Sequence, residues 1–149
     1  MKIKIFALAS VLLLSGFAAG FSYAEPRVMV ANIPFEFQVG KLTLPPGDYR
    51  VETQLTGSAR IQWLRQVDTN RVVILSTLPI ESEIPNSDPM LIFHRYGQTY
   101  FLAEIWNGGA EGRELPESKP EKELARREWS SDFSLLLHPT NAATQLRRA

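Results

Sequence analysis

The chain has no cysteine and only two histidines in 149 residues. The missing cysteines exclude a disulfide-stapled scaffold, a thiol nucleophile, a thiolate metal site and a lipid anchor on an N-terminal cysteine. The scarce histidines, His94 and His138, have no His-x-His or Glu-x-x-His spacing around them, so a zinc site has no nucleus. An excess of charge is missing too: 16 basic side chains meet 16 acidic ones. That balance excludes the electrostatic footprint of a nucleic-acid binder or of a protein held on an anionic membrane. No Gly-x-Ser-x-Gly, no Ser-x-x-Lys and no glycine-rich loop ending in Gly-Lys-Ser/Thr occurs. The residues therefore assign no catalytic group, no metal ligand and no cofactor.

What is present begins at the N-terminus. Lys2 and Lys4 precede an apolar run over residues 5–21, and small residues lead to Ala24 just before Glu25-Pro26. This is the three-part pattern of a secretory leader, and it predicts residues 1–24 as a signal peptide cleaved after Ala24. The rival is an uncleaved anchor, because the apolar run approaches the ~20 residues that span a bilayer. Gly16, Gly20 and the small residues near Ala24 favour cleavage. Export without cysteines points to a bacterial envelope, periplasmic or extracellular setting. Loss of Lys2 and Lys4 takes the basic count from 16 to 14 against 16 acidic residues, a formal charge near −2. After cleavage no membrane association is expected.

Residues 25–138 read as one β-rich domain. Over 29–39 every odd position is apolar, the period-two signature of a strand with one face on a core, and Pro34 places that strand at an edge or a bulge. Pro45-Pro46-Gly47-Asp48 predicts a type II turn. Tyr49 and Val51 then face inward, and alternation in the next strand places Ile61, Trp63 and Val67 inward as well. Asp68-Thr69-Asn70-Arg71 predicts a hairpin turn, and Val72-Val73-Ile74-Leu75, apolar throughout, predicts a central strand covered on both faces. Residues 79–89 read as a proline-bounded polar loop. Tyr96-Gly97-Gln98 predicts a type II′ hairpin with Tyr96 opposite Thr99, Arg95 opposite Tyr100 and His94 opposite Phe101.

Residues 108–112 read as a glycine-rich loop. Ser118, Pro120 and Glu121 then predict the capped start of a surface helix over about 119–128, with Leu124 as its main apolar residue. Residues 133–137 predict a last short strand, and 139–149 a flexible tail. Many short strands and one late helix give a mostly β fold, an antiparallel sandwich or a small barrel with one short C-terminal helix.

The run Ile33-Pro34-Phe35-Glu36-Phe37-Gln38-Val39-Gly40, then Leu44-Pro45-Pro46-Gly47-Asp48-Tyr49-Arg50-Val51, resembles the start of a family of uncharacterised small exported bacterial proteins. Phe93-His94-Arg95-Tyr96-Gly97 with Tyr100-Phe101-Leu102, and Gly112-Arg113-Glu114-Leu115-Pro116 leading into Glu121-Lys122-Glu123-Leu124-Ala125, are similar to the rest of its pattern. The resemblance reaches to about Arg127. It implies export and a single domain, and it carries over no site.

Three functional readings follow. The first is a non-enzymatic exported module that binds an envelope or extracellular partner or serves structurally, with Arg113, Glu114 and Trp129 as a possible binding surface beside the helix. The second is a carrier of a small apolar ligand, in a barrel cavity lined by Phe35, Phe37, Tyr49 and Trp63. The third, weakest, is a hydrolase around His94, for which packing on Phe101 is the plainer role. Glu81, Glu83, Asn86 and Asp88 bring oxygen ligands together in the 79–89 segment, a minor opening for calcium.

Overall fold

Pro34 marks the place where the first long alternating segment changes sheets. The computed structural model describes residues 28–56, 59–86 and 88–139; the expected leader, and the tail beyond Pro139, lie outside them. β1 (Met29–Ile33) belongs to one sheet and β2 (Phe37–Val39) to the other, so the predicted single strand over 29–39 is two strands. Proline cannot continue a ladder, and the break falls where it lacks an N–H. Alternation survives the crossing: Met29, Ala31, Ile33, Phe37 and Val39 are all buried.

The other strands are β3 (Leu42–Leu44), β4 (Gly47–Thr56), β5 (Ala59–Gln66), β6 (Val72–Leu75), β7 (Leu78–Asn86), β8 (Met90–Tyr96), β9 (Thr99–Trp106) and β10 (Gly109–Glu114). Helix α1 (Lys119–Ala125), β11 (Ser130–Leu136) and β12 (His138–Pro139) complete the described chain. The first sheet has the order β12-β1-β4-β5-β6. The second runs β11-β8-β9-β10-β7, with β2 parallel beside Tyr100 and Phe101 of β9, and β3 paired to β2. The two sheets pack face to face, so the fold is a β-sandwich with one short helix.

The core lies between the sheets. Phe37 meets Tyr49 edge-on at 5.2 Å and Phe93 at 5.5 Å, linking the two layers. Ile33, Val51, Leu64, Leu91 and Ile105 fill the space around them, each at most 1% exposed. Burying such a side chain contributes about 1.5–3 kcal/mol. The Tyr49 hydroxyl donates to the Pro45 carbonyl at 2.7 Å, and burial raises its pKa above the ordinary tyrosine value, the nearby Arg71 charge opposing. Tyr49 thus ties the Pro-Pro segment to the core.

The 97–98 hairpin has the expected register, with φ positive at Gly97 (57°) and not at Gln98, as a type II′ turn requires. Asn70 takes the left-handed conformation (φ 56°) in the 68–71 turn, also as expected.

Six expectations change. Gly47 has φ 152°, so 45–48 is a direct entry into β4 and no type II turn. The segment read as the 79–89 loop is mostly β7, and the 108–112 loop gives way to β10. Gly112 sits so close to Trp106 that an added Cβ would lie 2.7 Å from the indole, so this glycine serves strand packing, not flexibility. The helix stops at Ala125, three residues short of the expected end, and its buried residue is Glu121.

The fifth and sixth concern β5 and β6. Gln62, Leu64 and Gln66 are the buried residues of β5, so Trp63 and Ile61 occupy the outer face. Leu64 lies opposite Val51 and Val73, which decides the face, and the inward amides are engaged: Thr53 Oγ1 donates to Gln62 Oε1 at 3.1 Å, Thr69 Oγ1 to Gln66 Oε1 at 3.0 Å. β6 is not central. It ends the first sheet, with Val73 and Leu75 buried while Val72 and Ile74 are exposed on the outer face.

Candidate functional site

His94 lies on β8, opposite Phe101 of β9 and Asp132 of β11. Its partner arrives from far along the chain. Ser118 caps α1: its Oγ accepts from the Glu121 N–H at 3.3 Å, and Glu121 Oε2 accepts from the Ser118 N–H at 3.3 Å. The other Glu121 oxygen, Oε1, is 2.8 Å from His94 Nδ1. One carboxylate, 5% exposed, therefore closes the helix start and fastens it to the second sheet.

The hydrogen bond to Glu121 raises the His94 pKa above the ordinary histidine value; Asp132 and Glu104 add to the rise, and burial opposes it. Tyr96 and Phe101, both buried, meet edge-on at 5.8 Å beside the pair. A histidine held by a carboxylate is also the arrangement found in nucleophile–base–acid relays; among the described residues no hydroxyl is hydrogen-bonded to this imidazole. Nor, among them, do three histidine or carboxylate side chains come together to hold a metal. Glu81 and Glu83 lie in β7, on a strand and not in the loop that the calcium reading needed.

Glu121 also reaches a second feature. Between the end of the first sheet at β6 and the β2–β3 hairpin lies a cleft of about 380 Å³. Val39, Leu42, Val73, Leu75, Phe101, Leu102 and Leu115 give it apolar walls, Lys41 stands in its lining, and Glu121 closes one end. β6 is the end of its sheet and has no hydrogen-bonded strand on its outer side, so this side of the sandwich presents a free strand edge beside the cleft. Large apolar side chains remain in water around it: Ile74 is 67% exposed and Leu42 43%.

The proposed surface of Arg113, Glu114 and Trp129 is not brought together. Arg113 and Glu114 are neighbours in β10, opposite Ile105 and Glu104 of β9. Trp129 precedes Ser130, which lies opposite Tyr96 at the other end of the second sheet. From Thr99 to Ile105 along β9 is roughly 20 Å at strand rise. Trp129 is 97% exposed, as expected, and stands over a separate cleft of about 360 Å³ with Tyr96, Arg126 and Arg127. The four residues chosen for a barrel cavity are likewise dispersed. Phe37 and Tyr49 are core, Phe35 stacks on Tyr100 at 4.0 Å, and Trp63 is on the outer face.

Sequence reasoning missed the cleft because it took the four apolar residues of β6 for a central strand. It missed the His94–Glu121 pair because 27 residues separate the partners. In the sequence Glu121 reads only as a helix cap. Comparison with protein-family models, curated proteins and solved structures gave no match to this chain.

Proposed function

We propose that the chain is an exported, non-enzymatic binding module of the bacterial envelope or exterior, and that the open side of its sandwich is the binding surface. The observation that carries this reading is the cleft between β6 and the β2–β3 hairpin, where apolar walls meet Gln38, Lys41, Ser76 and Glu121, with Leu42 and Ile74 exposed beside it. A concave site in which apolar walls carry a few placed polar groups is the ordinary form of a ligand site. The leader pattern at residues 1–24 and the absence of cysteine support export, and the resemblance to exported proteins agrees with it.

Titration with an apolar naphthalene dye tests the site. Saturable binding by the purified protein, lost in Leu42→Glu at unchanged melting temperature, is expected; binding indifferent to that change overturns the assignment. N-terminal sequencing of protein recovered from periplasm and medium tests export: a start at Glu25 is expected, and retention of Met1 in the cytoplasm counts against it. A second reading, carriage of a small apolar ligand, is favoured by the cleft volume, which falls in the usual range for small-molecule sites. A fatty acid at 100 times its dissociation constant would then add about 2.7 kcal/mol of stability, several degrees in melting temperature.

A further inference from the structure

Sheet edges are normally guarded by proline, charge or brevity, because unpaired N–H and C=O groups recruit other strands. Four of the five edges among the described residues obey this. β12 is two residues long and ends in Pro139, β3 is three residues long beside Lys41, β7 carries Pro79, Glu81 and Glu83, and β11 exposes Ser131 and Asp132. β6 is different. Its four residues are all apolar, with neither charge nor proline.

The hydrogen-bond phase shows which of its groups are free. The Gln66 N–H donates to the Arg71 carbonyl at 2.9 Å, and the pairing continues in step to Leu64–Val73 and Gln62–Leu75. Hydrogen-bonded pairs alternate in an antiparallel ladder, so Arg71, Val73 and Leu75 turn their polar groups to β5. Val72 and Ile74 turn theirs outward. On the other side of β5, the Val67 N–H bond to the Asp48 carbonyl at 2.9 Å fixes the same phase independently.

We infer that the open side takes an extended polypeptide segment as an added strand against β6, bonded to the outward backbone groups of Val72 and Ile74, with alternate apolar side chains in the cleft and an acidic residue against Lys41. This rests on the open side being the binding surface, and it names the occupant. Two N–H and two C=O groups at strand spacing are matched by another backbone and not by an acyl chain. The charge in the lining points the same way. Glu121 is engaged by His94 and the helix cap, whereas Lys41 has no ion-pair partner among the described residues, so the cleft is left with a free cation.

The test uses random ten-residue peptides displayed on phage, selected on the purified protein, then synthesised and titrated by calorimetry. Enriched sequences are expected to place apolar residues at every second position with an acidic residue at one end. Ile74→Pro removes an N–H that bonds nothing within the sheet, so it should melt close to the wild type yet bind about tenfold more weakly or worse. Ile74→Thr keeps that N–H and should bind within about threefold, and Lys41→Glu should weaken acidic peptides selectively. Should Ile74→Pro fail to fold, slowed hydrogen exchange of the Val72 and Ile74 amides on peptide binding gives the same answer in the wild type.

No enriched peptide, binding indifferent to Ile74→Pro with unprotected amides, or a dimer in sedimentation that Ile74→Pro dissociates would each overturn the inference, the last because a second copy would hold the edge. Dye binding that is lost in Leu42→Glu, alongside failed peptide selection, overturns the occupant alone. Failure of both removes the site itself.

Discussion

The two flanks of the sandwich are covered to different extents. On one flank the chain stitches the sheets together: β11 passes through buried Leu137 into β12, and the Leu137 N–H donates to the Pro89 carbonyl at 2.8 Å. Phe35, on the crossing between β1 and β2, stacks on Tyr100 and meets Phe133 edge-on at 5.4 Å. On the other flank the chain crosses from β6 through Ser76-Thr77 into β7, but β6 and β3 are not paired, and a cleft lies between them. On the first flank Phe35 and Leu137 cover the gap between the sheets; on the second, Leu42 and Ile74 stay in water, Ile74 on the outer face of its sheet.

That contrast sets the expected order of mutational effects. Phe37→Ala, in the sealed interior, should lower the unfolding free energy by about 3–5 kcal/mol in a urea titration; a loss below about 1 kcal/mol would mean the two layers are not joined through this ring. Next comes Glu121→Ala, which opens the helix cap and strips His94 of its partner. A loss of about 1–3 kcal/mol is expected, with reduced far-ultraviolet helix signal. An unchanged melting curve would show that α1 is not held by this carboxylate.

A smaller effect follows from pH. The His94 pKa is raised in the folded protein, while the unfolded chain titrates near 6.5. The charged pair therefore stabilises the fold fully below pH 6.5, and that contribution fades as pH rises through the folded value. His94→Gln should flatten the fall in stability above pH 6.5, and parallel wild-type and variant curves would refute the coupling. Smallest of all is Ile74→Thr, on the open flank, expected to alter stability by no more than about 0.5 kcal/mol. A loss as large as that of Phe37→Ala would mean that Ile74 is covered in solution.

Much of the architecture was legible because local chemistry and tertiary structure agree. Alternation found the faces of β1, β2 and the start of β4, Gly97 found its hairpin, and Ser118 with Glu121 found the helix start. Reading failed where local pattern was outvoted by neighbours across the sheet. In β5 the inward positions are two glutamines and Leu64, which no polarity rule selects; only the opposing Val51 and Val73 settle the face. β6 misled in the other direction, since four apolar residues in a row suit a buried central strand, yet here one face and one edge are uncovered. The His94–Glu121 pair depends on how α1 is laid on the sheet, a fact of tertiary packing alone.

The pairing of β1 with β12 has a mechanical consequence. Met29 stands opposite Pro139, so the two ends of the described domain leave from neighbouring strands. β6 is three strand spacings from β1 and four from β12 across the same sheet, roughly 14 and 19 Å. Anything joined to either end, whether a fusion partner, a label or a solid support, grips the domain by its stitched flank and leaves β6 facing away from the attachment. For the same reason Met29 and Pro139 could be joined by a short linker and new ends cut elsewhere, giving a permuted domain with its free edge intact.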